Sequence, residues 1–170
     1  DASSPALSTT TLRDRGSALT MQLPTSGVPF SVDTSRTEGT FFTSNRFSHD
    51  DTPLALSAVL IHTPDTDAGQ TSGSMEERLN EQTTLLTQGI LTSPQGSEKK
   101  ILRDDVQSQN GCPAQRLTVQ AHYQGQNIIT EILLIRGKTD TWIAELTFYA
   151  EDTVLAELVP VLLSSIKIGA

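Results

Sequence analysis

The chain has 170 residues, with twelve Lys and Arg against twenty Asp and Glu, a formal charge of -8, 36% apolar residues and only 5% aromatic ones. That length supports one domain around one core and is short for two. The negative charge disfavours nucleic acid and anionic lipid headgroups as partners, and no apolar run approaches the roughly 18 residues of a membrane-spanning helix.

From Asp1 to Gly16 the residues are mostly Ser, Thr, Ala and Pro, too few of them apolar to offset the entropy of ordering, which predicts a disordered tether behind a processed N-terminus. Residues 17–170 then form a single domain. Ser and Thr make up 40 of the 170 residues while Lys is scarce, a bias associated with exported proteins.

Leu19, Met21 and Leu23 alternate with polar neighbours before Pro24, the pattern of a short strand. Residues 24–38 are rich in turn formers and read as loop with an edge strand, Val28, Phe30 and Val32 alternating within it. Two strands follow, Thr40 to Phe47 and Leu54 to Ile61, then a flexible acidic connection over 63–73. Ser74 stands three residues before Glu77, a capping box that predicts a helix with Met75, Leu79, Gln82, Leu86 and Ile90 on one face, ended by Gly89 and Ser93-Pro94-Gln95-Gly96. A weak strand over 98–107 precedes a meander. In it, Arg116 to Tyr123 alternates and reads as half exposed; Asn127 to Arg136 is apolar on both faces and reads as central; Thr141 to Tyr149 carries Trp142, Ala144, Leu146 and Phe148 on one side. Asp152 is a good N-cap for a last helix, kinked at Pro160, that gives way to an extended end at Ile166 to Ile168. The predicted class is α+β: a central antiparallel sheet of about six strands with helices on both faces.

Chemistry-bearing motifs are sparse. Gly137-Lys138-Thr139 lacks the upstream glycine of a phosphate loop, since Ile132 stands in its place, and reads as a turn. Gly-x-Ser-x-Gly, Cys-x-x-Cys and His-Glu-x-x-His do not occur. Cys112 is a lone thiol and reads as structural. Residues 65–76 place Asp65, Asp67 and Glu76 at calcium-loop positions, but Gln70 occupies the position that needs glycine, so a plain acidic loop is the better reading. His49, Asp50 and Asp51 are a weak metal candidate, and no metal or cofactor is expected. Arg116, Gln120 and His122 share one side of a strand, with Glu131 on its neighbour; they form either a shallow polar binding patch or, more simply, the wet face of a sheet with one ion pair.

The order of elements, the Cys112-Pro113-Ala114 entry into three long strands, the aromatic strand with Trp142 and Phe148, and the terminal Ser164-Ser165-Ile166-Lys167-Ile168 resemble the PsbP-like superfamily. That group includes the Ran-binding Mog proteins, bacterial DcrB-type lipoproteins and the Eag chaperones of type VI secretion. The resemblance runs from about Ser17 to Ile168 and implies an antiparallel sheet sandwiched by helices, with no shared catalytic residues. It is closest in character to exported or lipid-anchored bacterial members. The resulting expectation is a non-enzymatic, monomeric, protein-binding module of the cell envelope or periplasm, using a sheet edge or the groove beside Arg116, Gln120, His122 and Glu131. The alternative is a carrier of a small apolar ligand held between sheet and helix by Trp142, Phe148 and Leu86.

Overall fold

The computed structural model describes residues 5–24, 35–38, 43–51, 54–65 and 73–169, with backbone pairing alone for 35–38 and 43–51. The strand expected around Val28, Phe30 and Val32 and the calcium-like loop beyond Asp65 lie outside these residues. Among the described residues ten strands and two helices follow one another as β1 Leu7–Asp14, β2 Ser17–Pro24, β3 Ser35–Glu38, β4 Thr43–Asp51, β5 Leu56–Pro64, α1 Met75–Thr92, β6 Ser97–Gln109, β7 Cys112–Tyr123, β8 Gln126–Arg136, β9 Asp140–Tyr149, α2 Thr153–Ser164 and β10 Lys167–Gly169.

A seven-stranded antiparallel sheet runs β3-β4-β5-β9-β8-β7-β6, and a second sheet of three strands runs β1-β2-β10. The register fixes two faces, because side chains alternate along a strand and directly paired residues share a side. On one face lie Leu60, Ala144 and Leu133, paired across β5, β9 and β8. They pack with Leu155, Val159 and Leu162 of α2 and with Leu12, Leu19 and Met21 of the small sheet. On the other face Leu117, Val119 and Ile132 pack under Leu86 and Ile90 of α1. The cover of the first face is therefore a helix and a three-stranded sheet together, where helices alone were expected.

The small sheet exists because residues 7–14 are a strand, not a tether. Arg15 and Gly16 have φ of 47° and 81°, the two left-handed residues of a tight hairpin turn, and they place Leu12 opposite Leu19. Thr9, Thr10 and Thr11 are β-branched and suit extended backbone, so a composition that resembles a linker also makes a strand.

The Ser74 cap forms as predicted, its Oγ accepting from the Glu77 N–H at 3.1 Å, and α1 runs past Gly89 to Thr92. Asp152 accepts from the Leu155 N–H at 3.0 Å. Pro160 lies inside α2, which continues through it to Ser164. Both Pro160 and Ala156, whose carbonyl the missing N–H leaves free, are exposed, so water can serve that oxygen. The central strand β8 is buried on both sides from Glu131 to Arg136, as its doubly apolar pattern predicts.

Replacing Leu12 by Ala tests the strand assignment of β1. Loss of its buried methyls is expected to cost about 2 kcal/mol or more in urea denaturation; an unchanged midpoint would return residues 1–16 to a tether.

Candidate binding surfaces and buried polar clusters

The residues singled out by the sequence do not assemble as expected. Arg116 and Glu131 are both buried, and the Arg116 guanidinium donates to Glu131 Oε2 and, at 3.1 Å, to the Leu117 carbonyl. The alternating charge pattern is thus an internal ion pair and not a wet face. Gln120 and His122 are partly exposed, and His122 Nδ1 sits 3.2 Å from Asn127 Oδ1 across the β7–β8 pair. Two of the four patch residues therefore face the interior. The apolar trio also separates: Trp142 and Phe148 belong to the core beneath α2, whereas Leu86 lies beneath α1 on the opposite face. The three line no common cavity. His49, Asp50 and Asp51 fall in β4, paired with Ala58, Ser57 and Leu56, and their side chains lie outside the described residues. Among the described residues no three His, Cys, Asp or Glu side chains converge as metal ligands.

Two buried polar clusters sit instead at one end of the large sheet. In the first, His62 of β5 is fully buried and stacks on Trp142, its partner in β9, with ring centroids 4.3 Å apart. Its Nδ1 lies 2.5 Å from Asp14 Oδ2 and its Nε2 2.8 Å from Asp140 Oδ2. Asp14 closes β1 and Asp140 opens β9, so the imidazole ties the small sheet to the large one. Trp142 Nε1 donates to Ser17 Oγ at 2.9 Å, a second tie between the same two sheets. Burial pushes the Asp140 carboxyl up, but hydrogen bonds from His62 and Ser17 and the electrostatic attraction of the neighbouring imidazole and the Arg136 guanidinium outweigh it, leaving the group below the ordinary carboxylate value of 3.8. Gly137 leaves room for it, because a Cβ there would collide with Asp140 Oδ1 and force the carboxylate out of its place against His62.

In the second cluster the fully buried Arg136 of β8 forms a two-pronged pair with Asp65 and donates to Thr141 Oγ1 at 2.9 Å. Arg78 of α1 reaches the same Asp65 at 3.1 Å, and Thr141 donates to Gln82 Oε1 at 2.8 Å. Asp65, the first position of the calcium-like loop, is thereby committed to two guanidinium groups that fasten α1 to the sheet.

Two accessible surfaces remain. The first is the edge strand β6, which among the described residues pairs only with β7 and is exposed along most of its thirteen residues. Its register shifts lie between Ser97 and Arg103, and pairing is regular from there to Gln109. Val106, at the middle of that regular stretch, is 74% exposed. The far end is pinned by Gln109 and Asn110, which donate to the Ile166 carbonyl at 2.9 and 2.7 Å. The second is an open trough beside α1 on the large sheet, made of two adjoining hollows of about 390 and 430 Å³ that share Ser57, Tyr123, Ile128 and Thr147. No described helix is long and apolar enough to cross a membrane.

No protein-family model matches the chain, and no curated protein matches it in sequence. Among solved structures, the cyanobacterial PsbP (CyanoP) of Synechocystis sp. PCC 6803 superimposes with a TM-score of 0.56 over 95% of this chain and 93% of that one, at 9% identity. The fold is PsbP-like. LpqN of Mycobacterium tuberculosis, involved in cell envelope biogenesis, aligns over 96% of this chain and 92% of its own at 12% identity and a TM-score of 0.49. PA94 of Pseudomonas aeruginosa, a protein of unknown function, aligns over 90% of both chains at 18% identity and a TM-score of 0.46.

The PsbP-like core makes two predictions about its buried charges. Arg116→Met strands the Glu131 carboxylate and is expected to cost about 3–5 kcal/mol in urea denaturation, while the double change Arg116→Met with Glu131→Leu recovers most of it. For Asp140, a carboxyl whose native pKa is depressed adds stability above its unfolded pKa and loses it as pH falls through the lower native one. The gap in unfolding free energy between the parent and Asp140→Asn should therefore be full near neutrality and shrink as pH drops below about 4; a gap constant with pH would contradict the assignment.

Proposed function

We propose that this protein is a non-enzymatic, protein-binding module of the bacterial cell envelope, and that it takes its partner as an added strand along β6. The observation that carries this reading is the open edge itself. Among the described residues, every other long strand of the large sheet is paired on both sides, whereas β6 is paired on one. A strand with one unpaired edge offers a row of backbone donors and acceptors to an extended segment. Lys100 and the two register shifts shield its first half against indiscriminate pairing; the stretch from Arg103 to Gln109 carries no such shift. Its anchorage through Gln109 and Asn110 keeps the edge straight and lowers the ordering cost of docking. The envelope placement is supported by the abundance of Ser and Thr, the scarcity of Lys and the acidic surface.

A photo-crosslinking residue placed at Val106 in the source cells is expected to give one discrete protein adduct. The same residue at Leu85, exposed on α1, should give none, and a compensating variant, Ser108→Lys with the crosslinker kept at 106, should lose the adduct without lowering the melting temperature. Equal adduct patterns from the two positions would remove the edge from consideration, and recovery of the protein only in the cytoplasmic fraction would remove the envelope.

A further inference from the structure

We infer that the trough beside α1 is a binding site for an oligosaccharide, separate from the β6 edge. Its open end is flanked by Tyr123 and Tyr149, which are 45% and 41% exposed and both belong to the α1 side of the sheet. Pairing sets Tyr149 opposite Ile128 and Tyr123 opposite Gln126, so the two tyrosines stand on strands either side of β8, staggered by two residues and with backbones roughly 12 Å apart. Large aromatic rings left this exposed, as a pair and on one face of a hollow, are suited to stacking against a flat ligand.

The floor decides which ligand. Thr130 and Thr147 bond hydroxyl to hydroxyl at 2.9 Å, which leaves one O–H free to donate and lone pairs on both oxygens. Ser57 lines the same trough and Gln124 and Gln126 bring amides to its mouth, set among the apolar side chains of Val59, Val119, Ile128 and Ile132. A hydrocarbon chain laid here would take these groups from water and return nothing, a loss of about 1–3 kcal/mol for each left unpaired. A pyranose has the opposite composition. Its C–H faces pack on a tyrosine ring and on the aliphatic part of the lining, while its rim of hydroxyls both donates and accepts, matching the hydroxyls and amides set among them. Among the described residues none closes over the trough, which suits a strand of linked sugars entering from the side. Ile128, between the two rings, supplies the apolar contact for the second face.

The test is titration of the isotope-labelled full chain with cellohexaose, chitohexaose and soluble peptidoglycan glycan strands, followed by amide chemical shifts. Binding should move Ala121, Tyr123, Ile128, Thr147 and Tyr149 and leave Arg103 to Gln109 in place, and the three glycans distinguish which sugar the site prefers. Tyr123→Ala and Tyr149→Ala should each weaken binding about tenfold, the scale of one lost aromatic stack, with the unfolding midpoint unchanged because both rings are exposed. Absence of shifts with all three glycans at millimolar concentration overturns the inference. So does decanoate moving the same amides when the glycans do not, or binding that survives both tyrosine changes. None of these outcomes bears on the Val106 crosslink, so this site and the β6 edge stand or fall separately.

Discussion

His62 is placed so that neither sheet can shift relative to the other without breaking one of its bonds. A ring whose two nitrogens both face carboxylate oxygens satisfies both only by donating from both, or by leaving a proton on one carboxylate. Asp14 belongs to the small sheet and Asp140 to the large one, so the bracket spans the joint. The ring is also clamped from its face by Trp142, whose indole N–H goes to Ser17 of the small sheet. Apolar packing of Leu19, Met21 and Leu23 on the sheet supplies the driving force but little direction, since hydrophobic contact scales with area and not with angle. The polar bracket selects one registration among those the apolar contact would allow.

The opposite face follows from a shortage of cover. A helix of eighteen residues is roughly 27 Å long and about 10 Å wide, while seven strands span roughly 29 Å between their outermost axes. One helix therefore shields a strip of that face. Arg136, Asp65 and Arg78 fix where the strip falls, over Leu117, Val119 and Ile132. The trough opens along the flank of that helix: Ile90, Val119 and Ile132 form its α1 side, and beyond them the lining mixes Val59 and Ile128 with Thr130, Thr147, Ser57 and Tyr123. Sequence and geometry agree there: residues that would be costly beneath a helix lie where no described helix covers them.

This explains what the sequence disclosed and what it withheld. The meander from Cys112 to Tyr149, the Ser74 and Asp152 caps and the double burial of β8 all arise from local chemistry or from alternation within a single strand, and each was legible. β1 was hidden because Ser and Thr serve both linkers and strands; the signal that identifies it is Arg15-Gly16 set before the alternating Leu19, Met21 and Leu23. Arg116 and Glu131 misled for a different reason. A charge on one side of a strand looks the same whether water or another layer lies beyond it, and what lies beyond is supplied by α2 and the small sheet, distant in sequence. His62 carried no local signal at all, since its partners lie 48 and 78 residues away.

The two accessible surfaces differ in what they ask of a partner, and that difference argues against merging them. An edge strand offers main-chain hydrogen bonds, so it recognises extended backbone and leaves specificity to the side chains that flank the added strand. Along β6 those flanking groups are Arg103, Asp104, Asp105 and Val106, charged of both signs around one apolar residue. The trough offers no unpaired strand edge, because its floor strands β5, β9, β8 and β7 are each paired on both sides. It can be read only through side chains, and those combine rings and aliphatic groups with hydroxyls and amides. A single extended peptide laid across the floor would find none of the backbone partners it needs, while a sugar laid along β6 would find no ring. The fold therefore separates two kinds of recognition by assigning one to a strand edge and the other to a half-covered sheet face.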